Sequence, residues 1–367
     1  MNKSMHHFTR LALLIVCLFY ANAAFAQSVR EMAGQMIMIG FAHDSAKSEQ
    51  QSRLVSLLET GQIGGVMYLK YNIKSLTDVA NMNREFLAAG GRVQPLIAID
   101  QEGGVVERLT KAVGFKEIPS ARDVALNMDK NGANALYADL AKRMKKLGFN
   151  TNFGPVVDLL INKNNPIIAK YGRSFSSRAD IVTKFATAFV DGHRQAGMIT
   201  GLKHFPGHGS SATDSHLGFV DISNSWTQAE YEPFAALIAN GKADMIMAGH
   251  LFHSGYVVEG EKQVPASLSP VALTTVLRNG MGFDGVIISD DMEMGAITKH
   301  FGFEEAIVRA VNAGNDILLF SNTVKPSLGL PKRILDVLET EATRDPSFAR
   351  KIEASYRRII ALKSRLN

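Results

Sequence analysis

Eight short, largely apolar runs recur along the chain, at residues 36–41, 65–69, 96–99, 150–153, 199–203, 245–249, 285–289 and 317–320. Helix-forming stretches lie between them, among them 75–89, 133–147, 181–196, 227–240 and 304–313. A strand that is apolar on both faces must be covered on both, and the intervening amphipathic helices supply that cover, so the pattern implies a parallel sheet. Eight repeats of the unit close such a sheet into an α/β fold of the single (β/α)8 TIM-barrel type. Glycine follows several of the helices directly, as at Gly197, Gly241 and Gly314, where a left-handed residue ends a helix. No low-complexity linker, composition break or charge block interrupts the chain after residue 27, so residues 27–367 are read as one domain.

Residues 1–26 have the form of an export signal. Lys3 and Arg10 carry its positive charge, residues 11–20 form an apolar run, and Ala24-Phe25-Ala26 is a small-x-small cleavage site before Gln27. The apolar run is too short to span a bilayer, so the processed protein is expected in the periplasm or outside the cell, with no stable membrane insertion. Cys17, the single cysteine, lies inside the run without the small residues of a lipoprotein site around it. The remaining chain therefore has no thiol nucleophile, thiolate metal site or disulfide. Its formal charge of +5 falls to +3 without Lys3 and Arg10. The densest basic cluster, Lys142, Arg143, Lys145 and Lys146, ends a helical stretch as a solvated face, so no nucleic-acid partner is implied.

Barrel enzymes gather their chemistry at the C-terminal ends of the strands, and five segments of this chain place polar groups there. Asp100 follows the third run and Asp158 lies just past the fourth; Lys203 and His204 end the fifth, His250 follows the sixth, and Asp290 follows the seventh. The richest segment runs from Gly201 to Gly209 and on to Asp214-Ser215-His216, with one lysine, three histidines and a carboxylate within sixteen residues. Pro206 among glycines forbids a helix, so this is a long loop after the fifth strand. A carboxylate two residues from an imidazole, as Asp214 is from His216, suits a general acid or base. His204, His208, Asp214 and His216 are also residue types that ligate zinc, though at no established spacing. At the seventh strand, Asp290 suits a nucleophile, a base or a ligand, whereas Asp291 is expected to cap the turn that follows. Between Asp100 and Arg108 the two glycines lack dinucleotide-binding spacing. A carboxylate and an arginine gripping a polyhydroxylated ligand, or a local salt bridge, remain open there.

These motifs resemble glycoside hydrolase family three, in its single-domain β-N-acetylglucosaminidase (β-N-acetylhexosaminidase) branch. The resemblance is carried in order by Gly34-Gln35-Met36, residues 100–108, Asn152-Phe153-Gly154-Pro155-Val156-Val157-Asp158, Arg173-Ser174-Phe175, residues 203–209, Asp214-Ser215-His216, residues 265–269 and residues 285–291. The β-glucosidase branch lacks the histidine dyad. The resemblance implies an exported, retaining exo-β-N-acetylglucosaminidase with no metal or organic cofactor. Asp290 would be the nucleophile, His216 paired with Asp214 the acid/base, and Asp100, Arg108, Arg173, Lys203 and His204 the sugar-gripping set. The implied substrates are N-acetylglucosamine-containing oligosaccharides, either chitooligosaccharides or the muropeptides of peptidoglycan. Gly207 and Gly209 would let the loop swing so that the dyad assembles on bound sugar. Two departures from the family pattern stand out: Val105 where arginine is common, and Tyr171-Gly172 where an acidic residue usually precedes the arginine. The rival readings are a phosphorylase, a β-glucosidase and a catalytically silent sugar-binding barrel; oligomeric state is not legible.

Overall fold

Each of the eight apolar runs contains a strand: β1 (Ile37–Gly40), β2 (Gly65–Tyr68), β3 (Leu96–Ile99), β4 (Thr151–Asn152), β5 (Ile199–Phe205), β6 (Met245–Ala248), β7 (Val286–Ser289) and β8 (Leu318–Phe320). The computed structural model describes residues 27–41, 47–91, 93–257, 262–323 and 325–366. The expected export signal, with Cys17, lies outside the described residues. Hydrogen bonding orders the sheet β8-β1-β2-β3-β4-β5-β6-β7, and every neighbouring pair is parallel. A parallel bridge between Ile288 and Ile317, with the Ser289 amide 2.9 Å from the Ile317 carbonyl, joins β7 to the start of β8 and closes the barrel. All residues of the eight barrel strands are buried, as double-sided helical cover requires.

Two elements differ from the sequence expectation. β5 runs two residues further, to Phe205, because the chain leaving β4 continues beside it: the Lys203 carbonyl accepts the Val157 amide at 2.8 Å. Lys203 and His204 are thereby built into a strand end. The stretch 227–240 divides into a tight turn, Gln228–Tyr231, and a helix, Glu232–Ala239, with Pro233 in the first turn of the helix, where its missing N–H costs nothing.

The shortest strand is secured by side chains. Asn150 Oδ1 accepts the Ile97 amide at 2.7 Å and Asn152 Oδ1 accepts the Gln101 amide at 3.0 Å, tying β4 to β3 where the backbone ladder is brief. At the opposite end of the barrel, the last long helix (Pro346–Lys363) packs on the first (Val29–Gln35). Buried Lys363 reaches Gln35 Oε1 and the Gly64 carbonyl, each at 2.7 Å. Stability at that end and chemistry at the other is the usual division of labour in such barrels. Among the described residues no helix is long and apolar enough to cross a membrane.

Candidate active site

A cavity of about 580 Å³ opens at the C-terminal ends of the strands, and all eight sequence-predicted site residues line it: Asp100, Arg108, Arg173, Lys203, His204, Asp214, His216 and Asp290. Met67, Leu69, Met247 and Leu319 supply apolar surface among them.

One wall is an ion network built on the turn after β3. Gln101 folds this turn by accepting the Arg108 and Leu109 amides on Oε1, both at 3.0 Å, and donating Nε2 to the Leu109 carbonyl at 3.0 Å. The reversal passes through Gly103 at φ 104°, where an added Cβ would lie 2.3 Å from the Pro119 carbonyl oxygen. These glycines serve chain reversal, which returns Arg108 Nη2 to within 3.1 Å of Asp100 Oδ2. The salt-bridge reading of that pair is thus correct, and the pair still faces the cavity.

Lys203, 2 % exposed, places Nζ 2.7 Å from Asp100 Oδ1 and 2.6 Å from Glu102 Oε1. Arg173 grips Glu102 with both ends of its fork, Nε at 2.9 Å and Nη2 at 2.8 Å. Burying such charges is costly unless they are paired and hydrogen-bonded. Burial works against ionised Glu102, but Arg173 and Lys203 outweigh it and hold the carboxyl well below its ordinary range. Asp100 is lowered in the same way, with Lys203 and then Arg108 overcoming burial. Burial also opposes the charge on Arg173, yet Glu102 raises its guanidinium above the ordinary value. The wall is therefore a fixed array of anions and cations that can both accept from and donate to hydroxyl groups. Glu102 received no role from the sequence, although it lies between two residues that did.

Asp158 is the second residue whose part emerges only in three dimensions. Its Oδ1 accepts the amides of His204 (3.1 Å) and His208 (2.8 Å), while Oδ2 lies 2.8 Å from His204 Nδ1. The potential zinc ligands do not converge. His204 is committed to Asp158, His208 Nδ1 to Ser211 Oγ at 2.6 Å, and His216 Nδ1 to Asp214 Oδ1 at 2.7 Å. Among the described residues no group of three or more histidine, cysteine or acidic side chains is arranged to hold a metal ion.

Asp290 follows β7, its amide bound to the Ala248 carbonyl at 2.9 Å. Burial pushes its carboxyl up, but the imidazoles of His250, His204 and His216 and the Asp291 amide outweigh that and hold it below its ordinary value. His250 is itself fixed, with Nδ1 2.7 Å from Ser267 Oγ and Nε2 2.9 Å from the Asp291 carbonyl. As expected, Asp291 caps the following turn, accepting the Glu293 amide at 3.1 Å; it also takes the Ser321 amide at 2.9 Å.

On the long loop, Asp214 Oδ1 also accepts the His216 amide at 2.9 Å. The His216 side chain is 61 % exposed at the cavity mouth. Burial raises the Asp214 carboxyl, and hydrogen bonds from His216 reverse this to a net lowering. Gly207 and Gly209, expected to let the loop swing, are closely packed in this arrangement. A Cβ at Gly209 would meet the Leu159 carbonyl oxygen at 1.7 Å, and Gly207, at φ 121°, lies against Glu230. Both seat the base of the loop, while residues 212 and 213 ahead of the dyad are exposed. The two departures in sequence also face the cavity: Val105, 65 % exposed, and Tyr171.

Residues 28–362 match the family model described as Glycosyl hydrolase family 3 N terminal domain. The chain is 30 % identical over 386 residues to beta-hexosaminidase A of Pseudoalteromonas piscicida, spanning 94 % of this chain and 63 % of that protein. It is 34 % identical over 307 residues to the beta-hexosaminidase LpqI of Mycobacterium tuberculosis (strain ATCC 25618 / H37Rv), covering 81 % of this chain and 74 % of LpqI. A solved structure of a glycoside hydrolase family 3 beta-N-acetylglucosaminidase from Paenibacillus sp. str. FPU-7 superposes with a TM-score of 0.82 at 32 % identity, over 93 % of this chain and 63 % of that one.

Proposed function

The chain belongs to glycosyl hydrolase family 3, and on that premise we propose that it is an exported, retaining exo-β-N-acetylglucosaminidase. The observation that carries this reading is the meeting, around one cavity, of a strand-end carboxylate, a carboxylate-supported imidazole and a buried array of charged hydrogen-bonding groups. Its substrates are terminal N-acetylglucosaminides of peptidoglycan fragments or chitooligosaccharides, the former suggested by export beside wall material.

In the first step Asp290 attacks the anomeric carbon and the glycosidic bond breaks, while His216 in its protonated form gives its proton to the departing oxygen. Asp290 is suited to this because its lowered pKa keeps it anionic near neutrality. In the second step neutral His216 takes a proton from water as the water oxygen displaces Asp290, so two inversions give net retention. Asp214 holds the ring by Nδ1, which leaves Nε2 for the proton that moves. Asp100, Arg108, Arg173, Lys203 and His204 hold the hydroxyls of the terminal sugar.

A second reading is phosphorolysis, since a neutral imidazole base repels a phosphate acceptor less than a carboxylate base would. Turnover of aryl N-acetylglucosaminide and aryl glucoside, each in phosphate and in a non-phosphate buffer, tests both. Hydrolysis of the N-acetylglucosaminide independent of phosphate is the expected result. A requirement for phosphate with release of the sugar 1-phosphate would establish the second reading. Preference for the glucoside would overturn the sugar assignment.

A further inference from the structure

Glu230, on the turn Gln228–Tyr231 after the long loop, is a carboxylate only 1 % exposed. No cation of the described residues is among its partners. It accepts instead from two consecutive backbone amides of the loop, Gly209 on Oε2 at 2.9 Å and Ser210 on Oε1 at 3.2 Å. Burial, with the nearby charge of Asp158 adding to it, pushes its carboxyl up to about 7. A neutral side chain would escape that cost, and one amide oxygen can take two neighbouring N–H groups, as Gln101 Oε1 does. At Glu230 each loop amide has an oxygen of its own, which only a carboxylate supplies.

The remaining anchors of this base come from the other side. Asp158 takes the His208 amide, Asn165 Nδ2 donates to the His208 carbonyl at 2.7 Å, and the Asn162 amide donates to the Gly209 carbonyl at 3.0 Å. Residues 208–210 are thus gripped between the segment after β4 and Glu230. Beyond them the chain runs out to the dyad. There the tip is held by long or exposed bonds, from the Gly295 amide to the His216 carbonyl at 3.3 Å and from Lys299 Nζ to the Leu217 carbonyl at 2.7 Å.

We infer that Glu230 is the positioning residue of the acid/base loop: its carboxylate clamps the Gly209 and Ser210 amides and fixes the point from which Asp214 and His216 reach the cavity. This rests on the reading of that pair as the acid/base. A displaced dyad impairs proton delivery to the leaving group and spares the nucleophilic attack of Asp290.

Glu230→Gln and Glu230→Ala, compared with wild type, test this by two readouts. The first is kcat/KM for an N-acetylglucosaminyl disaccharide against a dinitrophenyl N-acetylglucosaminide, whose leaving group needs no proton. The second is hydrogen exchange of residues 206–211, which does not depend on turnover. Disaccharide hydrolysis is expected to fall on the order of 10- to 100-fold, with a much smaller loss on the dinitrophenyl substrate and faster exchange at the loop base. Equal losses on both substrates, or unchanged exchange in the near-isosteric glutamine variant, would overturn the inference. If wild type hydrolysed neither substrate, the proposed function would fail on its own, and the exchange result would still decide whether Glu230 is the clamp.

Discussion

Asp158 Oδ2 and His204 Nδ1, 46 residues apart in sequence, lie 2.8 Å apart beneath the cavity. The same carboxylate takes the His204 and His208 amides on its other oxygen, so one buried group sets both a cavity-lining ring and the start of the long loop. Asp158→Asn keeps the shape but turns an N–H group toward His204. The expected outcome is a loss of roughly 2–4 kcal/mol in stability, as for a broken buried pair. KM should rise more than kcat falls. Urea unfolding and steady-state kinetics on the same preparation measure the two effects.

Asp290→Ala removes the proposed nucleophile from a strand end that lines the cavity, so turnover should fall by at least about 1,000-fold with little change in melting temperature. A slow fluorinated N-acetylglucosaminide should add one sugar mass to the intact protein, located on a peptide containing Asp290. A folded Asp290→Ala variant with near-normal turnover would remove this residue from the reaction.

His216→Ala should slow substrates with poor leaving groups far more than activated aryl glycosides. Asp214→Asn should show the same pattern more mildly, on the order of 10- to 100-fold, because the ring keeps its place but loses the carboxylate that orients and supports it. Uniform losses across leaving groups would instead assign His216 to sugar binding or loop support.

Prolonged chelation should leave activity intact, and elemental analysis should find no stoichiometric metal. The reason lies in the donor set: His204, His208 and His216 each commit Nδ1 to a different partner, and Lys203 brings a positive charge next to His204. Activity lost on chelation and restored by zinc would withdraw the roles given to His204, Asp214 and His216.

The pH dependence of stability should carry the signature of His193. Its ring is buried against Phe189, with Nδ1 2.8 Å from the Phe189 carbonyl and Nε2 2.9 Å from Asn152 Nδ2, and burial lowers its pKa to about 4. The unfolded chain takes up this proton near pH 6.5 and the folded chain only near 4, so stability is lost as pH falls through that window, by up to roughly 3 kcal/mol. His208, also lowered to about 4 by burial, adds in the same direction, whereas Glu230, pushed up to about 7, opposes both. The test is therefore a difference: between pH 7 and pH 5, His193→Gln should lose less stability in urea than wild type. Parallel pH dependence in the two proteins would contradict a neutral buried His193.

Local pattern determined the barrel. Double-sided apolar strands, helices between them and a polar residue after each of several strands are properties of neighbouring residues, and they led to β1 through β8 and to Asp100, Lys203, His204 and Asp290 at the cavity, whereas Arg173 was reached only through the family resemblance. The sequence by itself also set Asp214 beside His216 within one short loop, but it left Asp100 and Arg108 either gripping a ligand or bridging each other, and the structure shows the bridge. Tertiary structure alone decided the partners across strands. Glu102 meets Arg173 and Lys203, Asp158 meets His204, His250 stands beside Asp290, and Glu230 meets Gly209 and Ser210. Periodicity shows which face of a strand or helix a residue occupies, but not which distant residue the closure of the barrel brings opposite it. Once buried there, a charged group must find a partner or change its protonation state, and that requirement is met in space, between strands, where no sequence spacing records it.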